Sequence, residues 1–190
     1  MAGYEDEVWW SRVTPPTVHA WTEADRPLRL VEQAVPKGEP QALACYGVLA
    51  RRWDAAGRHE EAWLRFVDGR PVSGLTTRFL AWCTERLAAR RTRVLVLVWD
   101  NASWHLSREV RGWLRAHNQR AHREGGVRIV PCWLPVKSPW LNPIEPQWVH
   151  AQRKVVEPAR LLPAAELEER VCAVFGCAQL AHLALPQEVA

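Results

Sequence analysis

Two long apolar runs lie in the middle of the chain. Residues 93–100 are aliphatic or β-branched up to Trp99 and end at Asp100, and residues 127–134 form the second run. A continuous aliphatic run without polar alternation is typical of a strand buried on both faces of a sheet. The sequence therefore predicts a buried strand that presents Asp100 where the sheet meets solvent, followed by a second strand over residues 127–134.

Shorter apolar segments in the first third predict two more strands. Residues 42–50 are apolar around Gly47, residues 61–67 alternate less regularly, and small residues at 55–57 suit a turn between them. Together with a first strand near the N-terminus they would form an antiparallel meander. Between its first two strands the sequence predicts a short extended segment at residues 18–21 and a loop over residues 26–40.

Apolar positions at helical spacing predict helices around these strands. They recur through residues 72–91, after Asp100, after Glu145 and over residues 164–175, where Gly176 suits a helix end. The order of three strands, helix, strand, helix, strand and helix predicts an α/β fold with a mixed five-stranded sheet flanked by helices.

The segment before the third predicted helix has the residue types of a helix N-terminus. Asn142 suits the N-cap, Pro143 the first helical position and Glu145 the third, where a carboxylate complements the helix dipole. A purely structural interpretation follows from the same pattern. Glu145 would then be a capping residue only, and Asp100 only the wet end of a strand.

Composition narrows the class of protein. The chain has 190 residues, 48% of them hydrophobic, which fits a single domain with its own core. The net charge is +4, and only three of the 25 basic side chains are lysines. Arginine forms forked hydrogen bonds to phosphate, so this balance is compatible with a nucleic-acid partner. The five cysteines form no CxxC pair, and no signal peptide or long apolar span is present, which predicts a cytoplasmic protein without a membrane.

Two blocks of residues resemble the catalytic core of the IS630/Tc1/mariner transposases. The first is Asp100-Asn101-Ala102-Ser103-Trp104-His105, and the second comprises Leu134-Pro135, Ser138-Pro139, Leu141-Asn142-Pro143-Ile144-Glu145 and Trp148. The resemblance extends from about Tyr4 to about Leu183. It implies an RNase H-like fold in which Asp100 and Glu145 are the second and third acidic residues of a DDE triad.

The first acidic residue of the triad maps to Asp6. An Asp-Glu dipeptide in an acidic and aromatic context, as at Asp6-Glu7, resembles the family's first strand. Glu5 and Glu7 are then expected to be solvated neighbours. Met1 precedes Asp6 by only five residues, so the apolar run that leads into this position is shortened. The alternative interpretations are that Glu5 or Glu7 is the ligand, or that the segment is an exposed acidic terminus.

The resemblance implies a metal-dependent reaction on DNA. Asp6, Asp100 and Glu145 would hold two Mg²⁺ or Mn²⁺ ions, with Asp100 bridging both, because three neighbouring carboxylates repel each other and hard cations prefer oxygen ligands. The implied reaction is DNA strand cleavage followed by strand transfer, without a covalent protein–DNA intermediate.

Several further residues are candidates for supporting roles. Asn101 and His105 would position ligands or DNA phosphates, although Asn101 or Ser103 could instead cap the next helix. Ser138 and Asn142 would shape the loop that presents Glu145. The sequence places DNA contacts at Arg153 and Lys154, and a stretch of basic residues fits either DNA contact or a solvated helix face: Arg115, His117, Arg120, His122, Arg123 and Arg128.

The resemblance also sets expectations for organisation and partners. Residues 1–190 are predicted to form one catalytic domain, with the helix-turn-helix module of the family absent and supplied by a separate subunit or an upstream reading frame. The expected partners are DNA, as transposon ends and target, and a second copy of the chain on that DNA, at the bacterial nucleoid. Two other functions stay open: a standalone RNase H-like nuclease, and a truncated or repurposed remnant that binds DNA or dimerises without catalysis.

Overall fold

The computed structural model describes residues 1–13, 35–155 and 160–185. The extended segment predicted at residues 18–21 and most of the predicted loop at residues 26–40 lie outside these ranges. Within them the strands and helices are β1 (Ala2–Ser11), β2 (Ala42–Asp54), β3 (Gly57–Val67), α1 (Ser73–Ala89), β4 (Val94–Trp99), α2 (Arg108–Glu124), β5 (Arg128–Trp133), α3 (Glu145–Val155) and α4 (Ala164–Phe175), with a 3₁₀ turn at Pro139–Leu141.

The strands form one mixed sheet in the order β3-β2-β1-β4-β5. β1, β2 and β3 are an antiparallel meander, and β4 and β5 continue the sheet parallel to β1. The predicted α/β architecture with five strands is therefore confirmed. The β2–β3 hairpin is longer than the sequence predicted, since β2 continues to Asp54 and β3 begins at Gly57, which has a φ of +118°.

Helices cover both faces of the sheet. α1 and α2 pack on one face around a core that includes Phe79, Leu95 and Trp99, all fully buried. α3 and α4 pack on the other face around Trp10 and Ile144. Each such side chain contributes roughly 1.5–3 kcal/mol by leaving water. The two cores hold the sheet between its helical layers.

β4 is buried on one face only, which corrects the sequence prediction. Leu95, Leu97 and Trp99 are fully buried against α1 and α2, but Val96 is 38% exposed and Val130 beside it on β5 is 49% exposed. The core under α3 and α4 draws its strand residues from β1, β2 and β3, so these helices leave the outer face of β4 and β5 open.

The outer edge of β5 is partly protected. The Asn118 side chain donates from Nδ2 to the Ile129 carbonyl at 2.7 Å and accepts from the Ile129 amide at 2.8 Å. Pro131 removes another donor from the same strand. A side-chain amide thus takes the place of a neighbouring strand, which discourages pairing with another chain.

β1 forms over ten residues despite its short apolar lead-in. It pairs with β2 along its whole length, while Ala2–Tyr4 also pair with β4, and the Met1 carbonyl accepts a hydrogen bond from the Val96 amide. Asp6 therefore lies in the middle of a central strand. None of the helices in the described ranges combines the length and apolar character that a membrane span requires.

Candidate active site

A cleft opens where β4 ends. It has a volume of about 350 Å³, and five of the residues singled out from the sequence line it: Asp100, Asn101, Ser138, Asn142 and Glu145. Asp100 directly follows β4, with its side chain 50% exposed, and Glu145 is the first residue of α3. The topology thus brings two carboxylates that are far apart in sequence to one edge of the sheet, as is usual for sites in α/β folds.

Asp6 approaches this cleft from β1 without lining it. Its carboxylate accepts a hydrogen bond from Trp148 Nε1 at 2.8 Å. Burial, and then the charge of Glu145, raise the pKa of Asp6 to about 7. Burial and the charge of Asp100 also raise the pKa of Glu145. Asp6, Glu145 and Asp100 are therefore close enough in turn for each carboxylate to disfavour ionisation of the next.

Gly47 makes room for the Trp148 ring. It is paired with Asp6 across β1 and β2, and a Cβ at this position would lie 2.3 Å from the indole. Such a distance is far inside van der Waals contact. The missing side chain lets α3 approach the sheet closely enough for Trp148 to reach Asp6.

His105 links Asp100 to a second group of acids on the other face of β1. Its Nδ1 lies 2.9 Å from Asp100 Oδ1, and its Nε2 lies 3.0 Å from Glu7 Oε1. Trp104 Nε1 also donates to Glu7 Oε1, at 2.7 Å. Burial lowers the pKa of His105, but the charge of Glu5 and the hydrogen bonds to Asp100 and Glu7 outweigh it and raise the pKa to about 11. His105 is thus an imidazolium that donates to both carboxylates, and its bond to Asp100 lowers the pKa of that acid.

Glu5 and Glu7 are not solvated, which corrects the sequence interpretation. Glu5 is fully buried and the Glu7 side chain is 7% exposed, because alternate residues of β1 point toward the core under α1. Burial, followed by the charge of Glu7, raises the pKa of Glu5 well above its usual value. Its carboxyl oxygens have no hydrogen-bond partner among the described residues, and Oε2 lies 3.4 Å from His105 Nε2.

The loop residues anchor the cleft rather than cap helices. Asn142 donates from Nδ2 to the Glu5 carbonyl at 2.9 Å, and α3 begins only at Glu145, so its side chain is not the predicted N-cap. Asn101 donates from Nδ2 to the Leu134 carbonyl at 2.7 Å. The cap of α2 is Ser107, which accepts from the Val110 amide, so neither Asn101 nor Ser103 has that role.

Ser138 has only a long hydrogen bond, and the two basic residues named from the sequence are exposed. The Ser138 hydroxyl is 3.5 Å from the Val136 carbonyl, within the loop that lines the cleft. Arg153 and Lys154 are exposed in the last turn of α3. They are one helix length, about 13 Å, from Glu145 at 1.5 Å per residue.

The donor set suits a hard divalent cation. The side chains of Asp6, Asp100 and Glu145 offer only oxygen atoms. Burial, followed by the charge of a neighbouring carboxylate, raises the pKa of Asp6 and of Glu145, and a bound cation would offset both effects. Within the described ranges, the residues whose ligand atoms all lie within 4.8 Å of one another are Glu5, Glu7 and His105. That second group already contains a cation, because His105 is protonated.

A family model for DDE superfamily endonucleases matches residues 32–167. The chain belongs to this family. The matched range contains Asp100 and Glu145 and begins after Asp6. No curated protein sequence matches the chain.

The fold of this DDE domain is also found in solved structures of the Mos1 mariner transposase. The TM-score is 0.63 for the Mos1 paired-end complex with left transposon end, at 16% identity over 94% of this chain and 48% of that chain. It is 0.62 for the paired-end complex with Mn, with the same identity and coverage. It is 0.61 for the strand transfer complex, at 17% identity and again 94% and 48% coverage. The chain thus spans about half the length of the Mos1 chains. The family model confirms the DDE family that the motifs implied, and the Mos1 structures confirm the fold.

Sequence reasoning did not predict the structural role of three residues at this DDE domain's site, although it named Glu7 as an alternative ligand and Trp148 as part of the second motif block. Glu7 had a signal, since it is the second residue of the Asp-Glu dipeptide, and Trp148 closes the second motif block. Gly47 had none, because its role depends on the approach of a helix more than a hundred residues later.

Proposed function

We propose that the chain is the catalytic domain of a DDE transposase, performing metal-dependent DNA strand cleavage and strand transfer in the movement of an IS630-type insertion sequence. The observation that carries the proposal is geometric: Asp100 and Glu145 line one open cleft, and Asp6 is hydrogen-bonded to Trp148 on the helix that Glu145 begins. Burial and then the charge of Glu145 raise the pKa of Asp6, and burial and then the charge of Asp100 raise that of Glu145. Family membership supports the same reaction class.

Asp6, Asp100 and Glu145 are the proposed catalytic residues and metal ligands. Two Mg²⁺ or Mn²⁺ ions bound there would activate the attacking hydroxyl and stabilise the leaving oxygen of the phosphodiester. Asp100, which follows β4 at the mouth of the cleft, would contribute ligand oxygens to both ions. The Mos1 complex solved with Mn supports a divalent ion in this fold.

The other polar residues hold these ligands in place. His105 fixes one oxygen of Asp100 by its Nδ1–H and leaves the other oxygen for a metal. Asn142 ties the loop before Glu145 to the backbone beside Asp6, and Asn101 ties the segment after Asp100 to the end of β5. Ser138 lies in the same loop. Ligands whose orientation is set in advance bind metal with less loss of freedom.

DNA is the proposed partner. The Mos1 relatives are complexes with transposon ends and a strand transfer complex, and the net charge of this chain is +4. Arg153 and Lys154 are assigned to the phosphate backbone. Dimerisation on the DNA, a separate subunit for end recognition and a location at the bacterial nucleoid belong to the same proposal.

Nicking of supercoiled plasmid tests the reaction, with Mg²⁺ or Mn²⁺ and with EDTA. We expect metal-dependent nicking by the wild-type chain and a loss of at least 100-fold in Asp6→Asn, Asp100→Asn and Glu145→Gln, because each removes a charged ligand. Glu85→Gln is the matched control, since Glu85 is an exposed carboxylate on α1. Calorimetric titration with Mg²⁺ should likewise show weaker metal binding in these three variants and unchanged binding in Glu85→Gln.

Pre-cut transposon ends separate the competing functions. Joining of a 3′-hydroxyl end to plasmid supports a transposase, whereas cleavage without joining supports a standalone nuclease. If the three variants match the wild type in both nicking and metal binding, catalysis is refuted and the non-catalytic remnant, which binds DNA or dimerises, takes its place.

A further inference from the structure

The solvent face of α2 carries an unusual density of arginine. Five arginines on this 17-residue helix are exposed, and its acidic residues are Glu109 near the start and Glu124 at the end. The opposite side of the helix packs against the sheet through Val110 and Leu114. The exposed arginines, called the α2 arginine face below, are Arg108, Arg111, Arg115, Arg120 and Arg123.

None of the five guanidinium groups has a carboxylate, carbonyl or aromatic partner in the part of the chain that the structure describes. Elsewhere in the same ranges many arginines do have one: Arg12 with Glu39, Arg51 with Glu60, Arg90 with Glu61, Arg65 with the Ala181 carbonyl, and Arg86 with the Trp63 and Trp82 rings. Other exposed arginines in these ranges also lack such a partner, among them Arg58, Arg78 and Arg153, but the α2 arginine face gathers five of them on one helix.

The arrangement has a cost for the folded state. Arg111 and Arg115 are four residues apart on one helix surface, where like charges destabilise a helix. A helix with a solvated face usually alternates charge, as Glu166 and Arg170 do on α4. Concentrated positive charge that reduces stability points to a negatively charged partner.

The position of α2 connects this face to the cleft. The helix begins eight residues after Asp100, and its cap Ser107 hydrogen-bonds Ser73 at the start of α1. From there α2 runs antiparallel to β4, away from the site, for about 25 Å. That length corresponds to about seven base pairs at 3.4 Å per step.

We propose that the α2 arginine face binds the phosphate backbone of duplex DNA beside the cleft. The contact is electrostatic and independent of sequence, since exposed guanidinium groups on one helix face meet phosphates rather than base edges. The proposal rests on the proposed function and extends it, because it places the DNA along α2 in addition to Arg153 and Lys154 on α3.

Salt-dependent binding of a fluorescein-labelled 30-base-pair duplex tests this surface, measured by anisotropy in EDTA so that no cleavage occurs. The variants are Arg111→Gln, Arg115→Gln and the double variant. The matched control is Arg58→Gln, which removes one exposed arginine at the β2–β3 turn, on the sheet edge opposite the cleft. Glutamine keeps good helix propensity, so the α2 variants should melt no lower than the wild type.

Each α2 substitution should reduce the slope of log K against log salt by about 0.9, the double variant by about twice that, and Arg58→Gln by much less. The proposal is overturned if the slope changes as little per removed charge in the double variant as it does in Arg58→Gln. It is also overturned if the wild-type chain does not bind the duplex at low salt. Plasmid nicking is read separately. Nicking with unchanged slopes refutes the surface alone, and reduced slopes without nicking refute the catalytic function alone.

Discussion

Trp148 Nε1 donates a hydrogen bond to Asp6 Oδ2 at 2.8 Å, joining residues that are 142 positions apart. Because Trp148 follows Glu145 by nearly one helical turn, α3 both presents one acid of the candidate site and holds another. The spacing of glutamate and tryptophan in the second motif block therefore has a structural consequence. It couples the position of the Glu145 helix to the carboxylate on β1.

Trp148→Phe removes this donor and keeps most of the ring. The aromatic contacts with Trp10 and Phe175 should persist, so we expect the free energy of unfolding to fall by about 1.5–3 kcal/mol, the range for a hydrogen bond to a charged group. Metal-dependent nicking should fall at least tenfold, because Asp6 loses its orientation. Urea unfolding and plasmid nicking measure the two effects. Trp140→Phe, at a site 73% exposed, is the control, and equal activity in both variants would contradict the role of the Trp148 hydrogen bond.

Gly47→Ala should separate α3 from the sheet. The new methyl group would overlap the Trp148 ring, and overpacking of this kind costs typically about 1–3 kcal/mol. Gly112→Ala is a matched substitution with open space around it on exposed α2, where alanine should stabilise the helix by about 0.5–1 kcal/mol. Chemical denaturation of both variants gives the comparison. A Gly47→Ala protein as stable as Gly112→Ala would show that α3 does not depend on this close approach.

His105→Ala should be among the most destabilising single changes at the site. It leaves Glu7 in the core without its cation, and an unpaired buried charge costs about 3–5 kcal/mol. Adding Glu7→Gln to His105→Ala should recover part of the loss, because the stranded carboxylate becomes neutral. A double-mutant cycle on the free energy of unfolding measures this coupling. Strictly additive effects would mean that His105 and Glu7 do not stabilise each other.

The helices and strands of this fold could be predicted from the sequence because each is determined by residues that are close together in the chain. The amphipathic period of α1 and the aliphatic run of β4 predict a helix and a strand from residues within a few positions. Burial was less predictable. Val96 looks as apolar as Leu95, and only the placement of α3 and α4 over the other strands decides that Val96 is partly exposed.

The candidate site likewise combines features that local sequence predicts with features that depend on tertiary contacts. Asp100 and Glu145 were found from local motifs, and they line one cleft. The burial of Glu5 and Glu7 was misjudged because three consecutive acids suggest a solvated terminus, whereas a central strand sends alternate side chains into opposite faces. Asn142 has the residue type of an N-cap, yet its amide reaches the β1 backbone, a contact that no sequence spacing reveals.

His182 gives the fold a pH-dependent attachment far from the site. Its ring nitrogens lie 2.7 Å from Asp68 after β3 and 2.7 Å from Glu168 on α4. The neighbouring Leu183 pairs with Val67, so this histidine fastens the segment after α4 to the edge of the sheet. Burial lowers the pKa of His182, but the hydrogen bonds to the two carboxylates outweigh it and raise the pKa above its usual value.

The sign of the pH effect follows from this shift. A histidine whose pKa is higher in the folded than in the unfolded state stabilises the protein below the unfolded value of about 6.5, and that contribution disappears as pH rises through the folded pKa. His182→Gln should therefore lower the free energy of unfolding more at pH 6 than at pH 9. Urea unfolding at both values measures the difference, with His150→Gln on the exposed side of α3 as the control. A deficit of the same size at both pH values would show that His182 acts through packing on Phe66 and not through its charge.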